Sequence, residues 1–494
     1  MAADQDGGRH QQGGGPDGIQ VTAEGAGHSR NARPTGRART AVRAGRQRFV
    51  MGRAPFPGAV PAYRRDMRDP DAPRLPSRDD RRLPLRDGPR SPSSPGFWRS
   101  PLRGPRFTSV LGLVLLAGIT VLFVTGLVSY AAYNPGLSPV NDKTPDKGLL
   151  GFYLFAWPTN PHWLYRLNQG VHVTLGITLI PVLLAKLWSV IPRLFALPPV
   201  RSLAHALERI SLLLLVGGAL FEFVTGVLNV QLDYVFPGSF YPLHFYGAWV
   251  FFAAFVAHAL LKMPTALRNL RHLRQERNDL VSPRPAEPTV SRRGALWLVG
   301  GGSLLLFATT VGQNFDGPLR RTALLAPHGG GDPGSGPNGF QINKTAAYAG
   351  IGTAETGEDA WRLVLTGTAG TVRLSRAQLA GLPLHSSALP IACVEGWSTS
   401  DQWWRGVRLR DLAALVGYDD DPPDVFVESL QRRGAFRSAA LRANQVADPR
   451  SLLALYVNGE ELSPDHGYPA RIIVPAAPGV LNTKWVARMT FGDL

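Results

Sequence analysis

The sequence predicts a multi-domain protein in which a bundle of five transmembrane α-helices carries a second domain of α+β, mainly β, character. Three observations predict it. Five apolar stretches lie between residues 107 and 311, each close to the roughly 20 residues that cross a bilayer. A Gly/Pro-rich stretch, 314–339, follows the last of them and reads as a linker. From 340 to 494, long apolar segments give way to short alternating runs, the pattern of half-buried strands.

The elements follow in chain order. Residues 1–105 are rich in Arg, Pro, Gly, Asp and Ser and carry too little apolar surface to offset chain entropy, so a disordered basic tail is expected. No apolar core follows closely on the N-terminus, which argues against a signal peptide. Met51 and Met67 stand as alternative starts. The expected spans are Phe107–Tyr130, Asn168–Ile191, Glu208–Val230, Leu243–Met263 and Ala295–Val311. The first four form a membrane unit, 106–265; a loop, an arginine pair and the fifth span occupy 266–313. The length and low charge of all five weigh against buried helices of a large soluble protein. In the last domain, Trp361–Thr366, Val372–Leu374, Arg471–Val474 and Trp485–Phe491 read as strands.

The formal charge of +17 is concentrated in the tail and beside apolar runs. No nucleic-acid-binding signature accompanies it, so no nucleic-acid partner is expected. Lys186, Arg193 and Arg201 follow the second span, and Lys262, Arg268, Arg271, Arg274 and Arg277 follow the fourth. By the positive-inside rule these loops and the tail are cytoplasmic, and five crossings leave the last domain outside. Ser291-Arg292-Arg293-Gly294-Ala295-Leu296 resembles a twin-arginine export signal placed inside the chain. The pair equally obeys the positive-inside rule.

Imidazole is costly in lipid unless paired, so intramembrane histidines carry a functional hypothesis. His172 lies about one turn into the second span. His244 and His258 stand fourteen residues apart on the fourth, nearly on one face and about 21 Å along the axis. A bis-histidine haem needs a partner at the same depth. His172–His244 supplies an outer pair; His258 with His205 is the weaker inner pair. The other reading has these rings hydrogen-bonding between helices without a cofactor. The segment resembles the cytochrome b561-like bundles of bacterial respiratory enzymes in helix number and paired histidines, but it lacks a first-helix ligand. That resemblance implies one haem b or two, and a quinol as electron partner in the membrane. Glu222, in the third span, either carries protons from a quinol or hydrogen-bonds a neighbouring helix.

The chain has one cysteine, Cys393, which excludes an intrachain disulfide, a four-cysteine cluster and C-x-x-C-H haem attachment. By spacing alone such a thiol is as well read as a small buried hydrophobe. Its surroundings say more. Ile391-Ala392-Cys393-Val394-Glu395-Gly396-Trp397-Ser398, Trp404-Arg405-Gly406-Val407-Arg408-Leu409, Val457-Asn458-Gly459-Glu460, Asp465-His466-Gly467-Tyr468-Pro469-Ala470-Arg471 and Thr483-Lys484-Trp485-Val486 together resemble the sulfite oxidase/methionine sulfoxide reductase family of molybdopterin enzymes. The resemblance implies that Cys393 ligates molybdenum, where a soft thiolate suits the metal. It further implies pterin contacts from Asn343, Ala346, Ala347, Ser429, His466, Arg471, Asn482, Thr483 and Lys484. An arginine fork is apt for a phosphate, although Arg471 or Lys484 taken singly reads as a strand-end surface charge.

True sulfite oxidases of this family follow the cysteine with an Asn-Arg pair; here Val394-Glu395-Gly396-Trp397 stands instead. The expected function is a membrane molybdenum oxidoreductase fed by quinol through haem, reducing an S- or N-oxide such as methionine sulfoxide. The alternatives are an oxidase of a small donor such as sulfite, an enzyme whose bundle is a plain anchor, and a membrane-tethered binding protein that kept the fold without catalysis.

Overall fold

The computed structural model describes residues 100, 102–137, 155–193, 195, 202–230, 240–271, 290–326, 334–434 and 436–494. Most of the expected disordered tail therefore lies outside the described residues, as do Arg201, Arg274 and Arg277. Five helices are long and apolar enough to cross a membrane: α1 (Pro105–Ala131), α2 (Leu164–Val190), α3 (Leu203–Asn229), α4 (Tyr241–Arg271) and α5 (Arg292–Ala308). Their outward faces carry Val114, Val124, Leu184, Leu213, Val224, Val250, Trp297 and Leu304, all exposed. Apolar surface on this scale suits hydrocarbon rather than water. Inside, Leu111, Leu115, Ile119, Leu183, Ala219, Phe251 and Phe255 form the bundle core. Helix α1 packs on α2 and α4, α3 packs on α4, and α5 lies against α2. Ser291 caps α5 by accepting from Gly294 N at 3.0 Å, which places the arginine pair in the first turn of that helix.

The last domain has two sheets. In chain order its strands are β1 (Leu363–Gly367), β2 (Gly370–Leu374), β3 (His385–Leu389), β4 (Gln402–Arg408), β5 (Val425–Ser429), β6 (Ser438–Leu441), β7 (Leu452–Val457), β8 (Glu460–Glu461), β9 (Arg471–Ile473) and β10 (Val486–Phe491). The first sheet runs β2-β1-β10-β5-β6, with β1 parallel to β10 and the other pairs antiparallel. The second runs β3-β4-β7-β8, with β9 also on β7. Their apolar faces share one core, in which Leu363, Leu365, Val427 and Met489 of the first sheet join Val407, Leu453, Leu455 and Ile472 of the second. A smaller core around Phe340, Leu389, Trp404 and Ile473 includes Cys393.

The stretch 314–339, expected to be a linker, is packed over part of its length. Arg320 is buried; its Nη2 donates to Ser398 O at 2.8 Å and its Nη1 to Gln341 Oε1 at 3.2 Å. A guanidinium with several fixed acceptors ties down a segment whose Gly/Pro content alone suggests free chain. Residues 327–333 lie outside the described set.

The domain rests on the end of the bundle where α1 ends and α2 and α4 begin. Trp157 Nε1 donates to Ala476 O at 2.7 Å, Asn134 Nδ2 to Ala440 O at 3.1 Å, and Arg450 Nη2 to Thr159 O at 3.1 Å. Backbone joins backbone as well, from Ala476 N to His162 O and from Ser398 N to Gln313 O, both at 3.1 Å.

Candidate active site and the cavity beneath it

The turn between β3 and β4 presents the single thiol. Cys393 is buried; Asn343 Nδ2 lies 3.4 Å from its sulfur, and the Glu395 carboxyl lies 3.5 Å away on the other side. Glu395 also accepts from Trp397 Nε1 at 2.9 Å. Burial, and then the Glu395 carboxylate, hold the thiol well above its ordinary pKa. Such a sulfur keeps its proton until a cation takes the proton's place.

Behind the thiol the structure gathers the residues expected to hold a pterin. Arg471, at the start of β9, is only 2% exposed, so the surface-charge reading fails. Its Nη1 donates to His466 O at 3.0 Å and its Nη2 to Asn482 O at 3.3 Å. Lys484 Nζ donates to Lys344 O at 2.7 Å and Asp465 O at 2.8 Å. Ser429 Oγ donates to Lys484 O at 2.7 Å. His466 stacks on Phe340, and its Nε2 donates to Asn338 O at 2.8 Å. Ala346 N is held by Asp465 Oδ1 at 2.8 Å, whereas Ala347 is exposed on the same short helix.

Burial lowers Arg471 to about 9; burial and the Arg471 charge lower Lys484 to about 7 and His466 to about 3. Four buried polar atoms of this group, Asn343 Oδ1, Arg471 Nε, Asn482 Nδ2 and Thr483 Oγ1, have no hydrogen-bond partner among the described residues. Buried polar atoms are normally paired. Two enclosed cations with orphaned donors therefore fit a polar anionic ligand such as a phosphate-bearing pterin.

Beneath the cysteine turn, a cavity of about 630 Å³ opens into the bundle. The structure brings His172 of α2 and His244 of α4 together across it, their ring centres 6.3 Å apart and their planes at 86°. Each ring is held by a threonine: His172 Nδ1 lies 2.9 Å from Thr125 Oγ1, and His244 Nδ1 lies 2.9 Å from Thr225 Oγ1. Both hydroxyls already donate to their own helices, Thr125 to Val121 O and Thr225 to Phe221 O. They therefore accept from Nδ1–H, which leaves both Nε2 lone pairs available. Glu222 Oε2 also lies 3.1 Å from His244 Nδ1, the inter-helix contact foreseen for that acid. The expected inner pair falls outside the described residues, since the His205 side chain is not among them; His258 does not line this cavity.

A signal for this cradle stands in the sequence, unused above. Phe-Val-Thr-Gly occurs at 123–126 on α1 and again at 223–226 on α3. The threonines anchor the rings. A Cβ added at Gly126 or Gly226 meets the Cε1 atom of His172 or His244 at 3.3 Å, so the missing side chain makes room for each imidazole.

The two sites touch. Val394, adjacent to the thiol, lines the cavity, and its carbonyl accepts from Gln169 Nε2 at 2.5 Å. Gln169 Oε1 in turn accepts from Ser129 Oγ at 2.7 Å. Gly396, at φ +93°, presses its Cα against α2; a Cβ there falls 2.6 Å from Val173.

Residues 351–493 match the oxidoreductase molybdopterin binding domain family. An uncharacterized oxidoreductase of Bacillus subtilis, YuiH, is 31% identical over 118 residues, which is 24% of this chain and 58% of that protein. Mitochondrial sulfite oxidase of Rattus norvegicus is 30% identical over 158 residues, 27% of this chain and 29% of that one. An NAD(P)H nitrate reductase of Hordeum vulgare is 38% identical over 94 residues, covering 17% and 10%. The chain thus spans 58% or less of the length of each of these relatives. Residues 351–493 accordingly form a molybdopterin-binding oxidoreductase domain of sulfite oxidase type.

Proposed function

Proceeding from a molybdopterin domain at 351–493, we propose that the whole chain is a membrane-bound oxidoreductase linking quinol, haem b and molybdenum. His172 and His244 hold the haem, and Cys393 holds the metal of the extracytoplasmic domain. The observation that carries this reading is the seating of the cysteine turn on the cavity mouth, with Val394 common to both sites.

The fit of each group rests on this chain's own atoms. The ring centres of His172 and His244 stand 6.3 Å apart across the cavity, and these two imidazoles would hold a haem iron. The Nδ1–H bonds to the threonines fix both rings with Nε2 inward, the outer-shell arrangement that orients histidine ligands. The long apolar part of the lining, from Ile119 and Phe123 to Phe251 and Phe252, suits a flat apolar macrocycle. At the upper site, Cys393 supplies the thiolate, while Arg471, Lys484, Asn482 and Thr483 bind and orient the pterin.

When bound, the molybdenum cofactor supplies oxygen-atom transfer coupled to two electrons, and the haem supplies single-electron steps. Reduction of a sulfoxide takes up two electrons and two protons and releases water. The Glu395 carboxyl beside the sulfur disfavours an anionic oxide and tolerates a neutral one. That supports an S- or N-oxide such as methionine sulfoxide as substrate. The Gln169–Val394 bond holds the cysteine turn one helical turn above His172, so the path between the sites is short.

Dithionite-reduced minus oxidised spectra of the detergent-purified full chain test the relay. A b-type band is expected in the wild type and is lost in H172A and H244A, with molybdenum content unchanged. A wild-type spectrum without that band removes the haem.

A further inference from the structure

The cavity lining is segregated along the bundle axis. Its deep end is apolar, with Ile119, Phe251 and Phe252. One turn outward from the imidazoles each of α1 to α4 adds a polar side chain to the lining. Ser129 and Asn229 stand four residues beyond Thr125 and Thr225, and Gln169 and Tyr241 stand three residues before His172 and His244. That offset is about 5 Å along each helix, the reach of groups at the edge of a macrocycle centred between the two rings.

The mouth is not built by the helices alone. Gly434, Phe436 and Arg437, from the segment joining β5 to β6, line the same cavity. Among the described lining residues Arg437 is the one Lys or Arg, and Glu222, which contacts His244, is the one carboxylic acid. A haem carries two carboxylates on one edge, and these need polar partners where the apolar wall ends. A guanidinium fork matches a carboxylate with two parallel hydrogen bonds.

We propose that the cavity mouth is a haem carboxylate site completed by Arg437, so that the molybdopterin domain itself closes the pocket of the membrane haem. The inference rests on the haem reading above and adds the orientation of that haem, carboxylate edge outward. The domain that receives the electrons thereby contacts their donor directly.

Full-length protein purified with both cofactors carries the test, using haem transfer to apomyoglobin and a potentiometric titration of the b-type band. R437Q is expected to release haem about fivefold faster, the scale of one charge-assisted pair near a surface. Its midpoint potential falls, because the lost positive charge favoured the reduced haem. R437K holds haem better than R437Q and keeps a potential near that of the wild type. R432Q removes the same charge from the same segment, but Arg432 pairs with Glu355 at 2.8 Å and does not line the cavity; it changes neither quantity. A haem release rate and potential in R437Q equal to those of the wild type overturn the assignment while leaving the haem reading intact. Absence of haem from the wild type overturns both. Should R437Q lose molybdenum too, R437K decides: haem retention no better than in R437Q overturns the proposal.

Discussion

Arg471 holds its charge buried and Lys484 holds its own half-buried beside it, and the consequence is measurable before any cofactor is added. The Lys484 ammonium, brought down to about 7 by burial and by Arg471, binds its proton less tightly folded than unfolded. The unfolded chain therefore carries more protons between about pH 7 and the ordinary lysine value, so cofactor-free protein gains stability as pH rises through that window. Arg471, lowered to about 9, adds to the gain at the upper end. Thermal melts of cofactor-free wild type and K484M check this: the slope is expected to flatten in K484M, and a bound phosphate-bearing pterin flattens it in the wild type. The grouping of Arg471 and Lys484 with Cys393 was legible in the sequence as a resemblance carried by several motifs in fixed order, and the structure brings these residues together. The histidine pair was legible from the cost of imidazole in lipid. Thr125, Gly126, Thr225 and Gly226 went unread, since threonine and glycine inside an apolar run announce no chemistry until a ring is seen against them.

Among the elements, the helices agree with the apolar stretches at their centres and depart at their ends. The fourth span reads as Leu243–Met263, yet α4 continues through Pro264 to Arg271. Hydropathy marks where the apolar run ends; backbone hydrogen bonding runs on past that boundary. The strands show the same fidelity, with β10 at Val486–Phe491 inside the expected Trp485–Phe491. The cysteine turn depends on Gly396 twice over, through its left-handed backbone and through its contact with Val173. G396A is expected to lower the melting temperature by several degrees, as strain and a clash of about 1–3 kcal/mol imply. It should also slow reoxidation of reduced haem by substrate more than it reduces haem content. Stopped-flow absorbance at the b-type band reads the second effect, and an unchanged rate would falsify the role of this contact.

For the whole molecule, the sequence separates a membrane unit from an outer domain but not the manner of their docking. Beside side-chain donors such as Trp157 and Asn134, the contacts that join them include backbone carbonyls and amides far apart in the chain, such as Ala476 N with His162 O and Ser398 N with Gln313 O. No side-chain pattern encodes those. Docking puts the thiol turn over the paired imidazoles, and the proposed electron route rests on that juxtaposition. The most direct test is the metal content of detergent-purified full-length protein, made in cells that assemble the pterin, for wild type and C393A. The expected result is stoichiometric molybdenum in the wild type, its loss in C393A, and an unchanged b-type band in both. A wild type without molybdenum, or a C393A protein that retains it in full, contradicts the account.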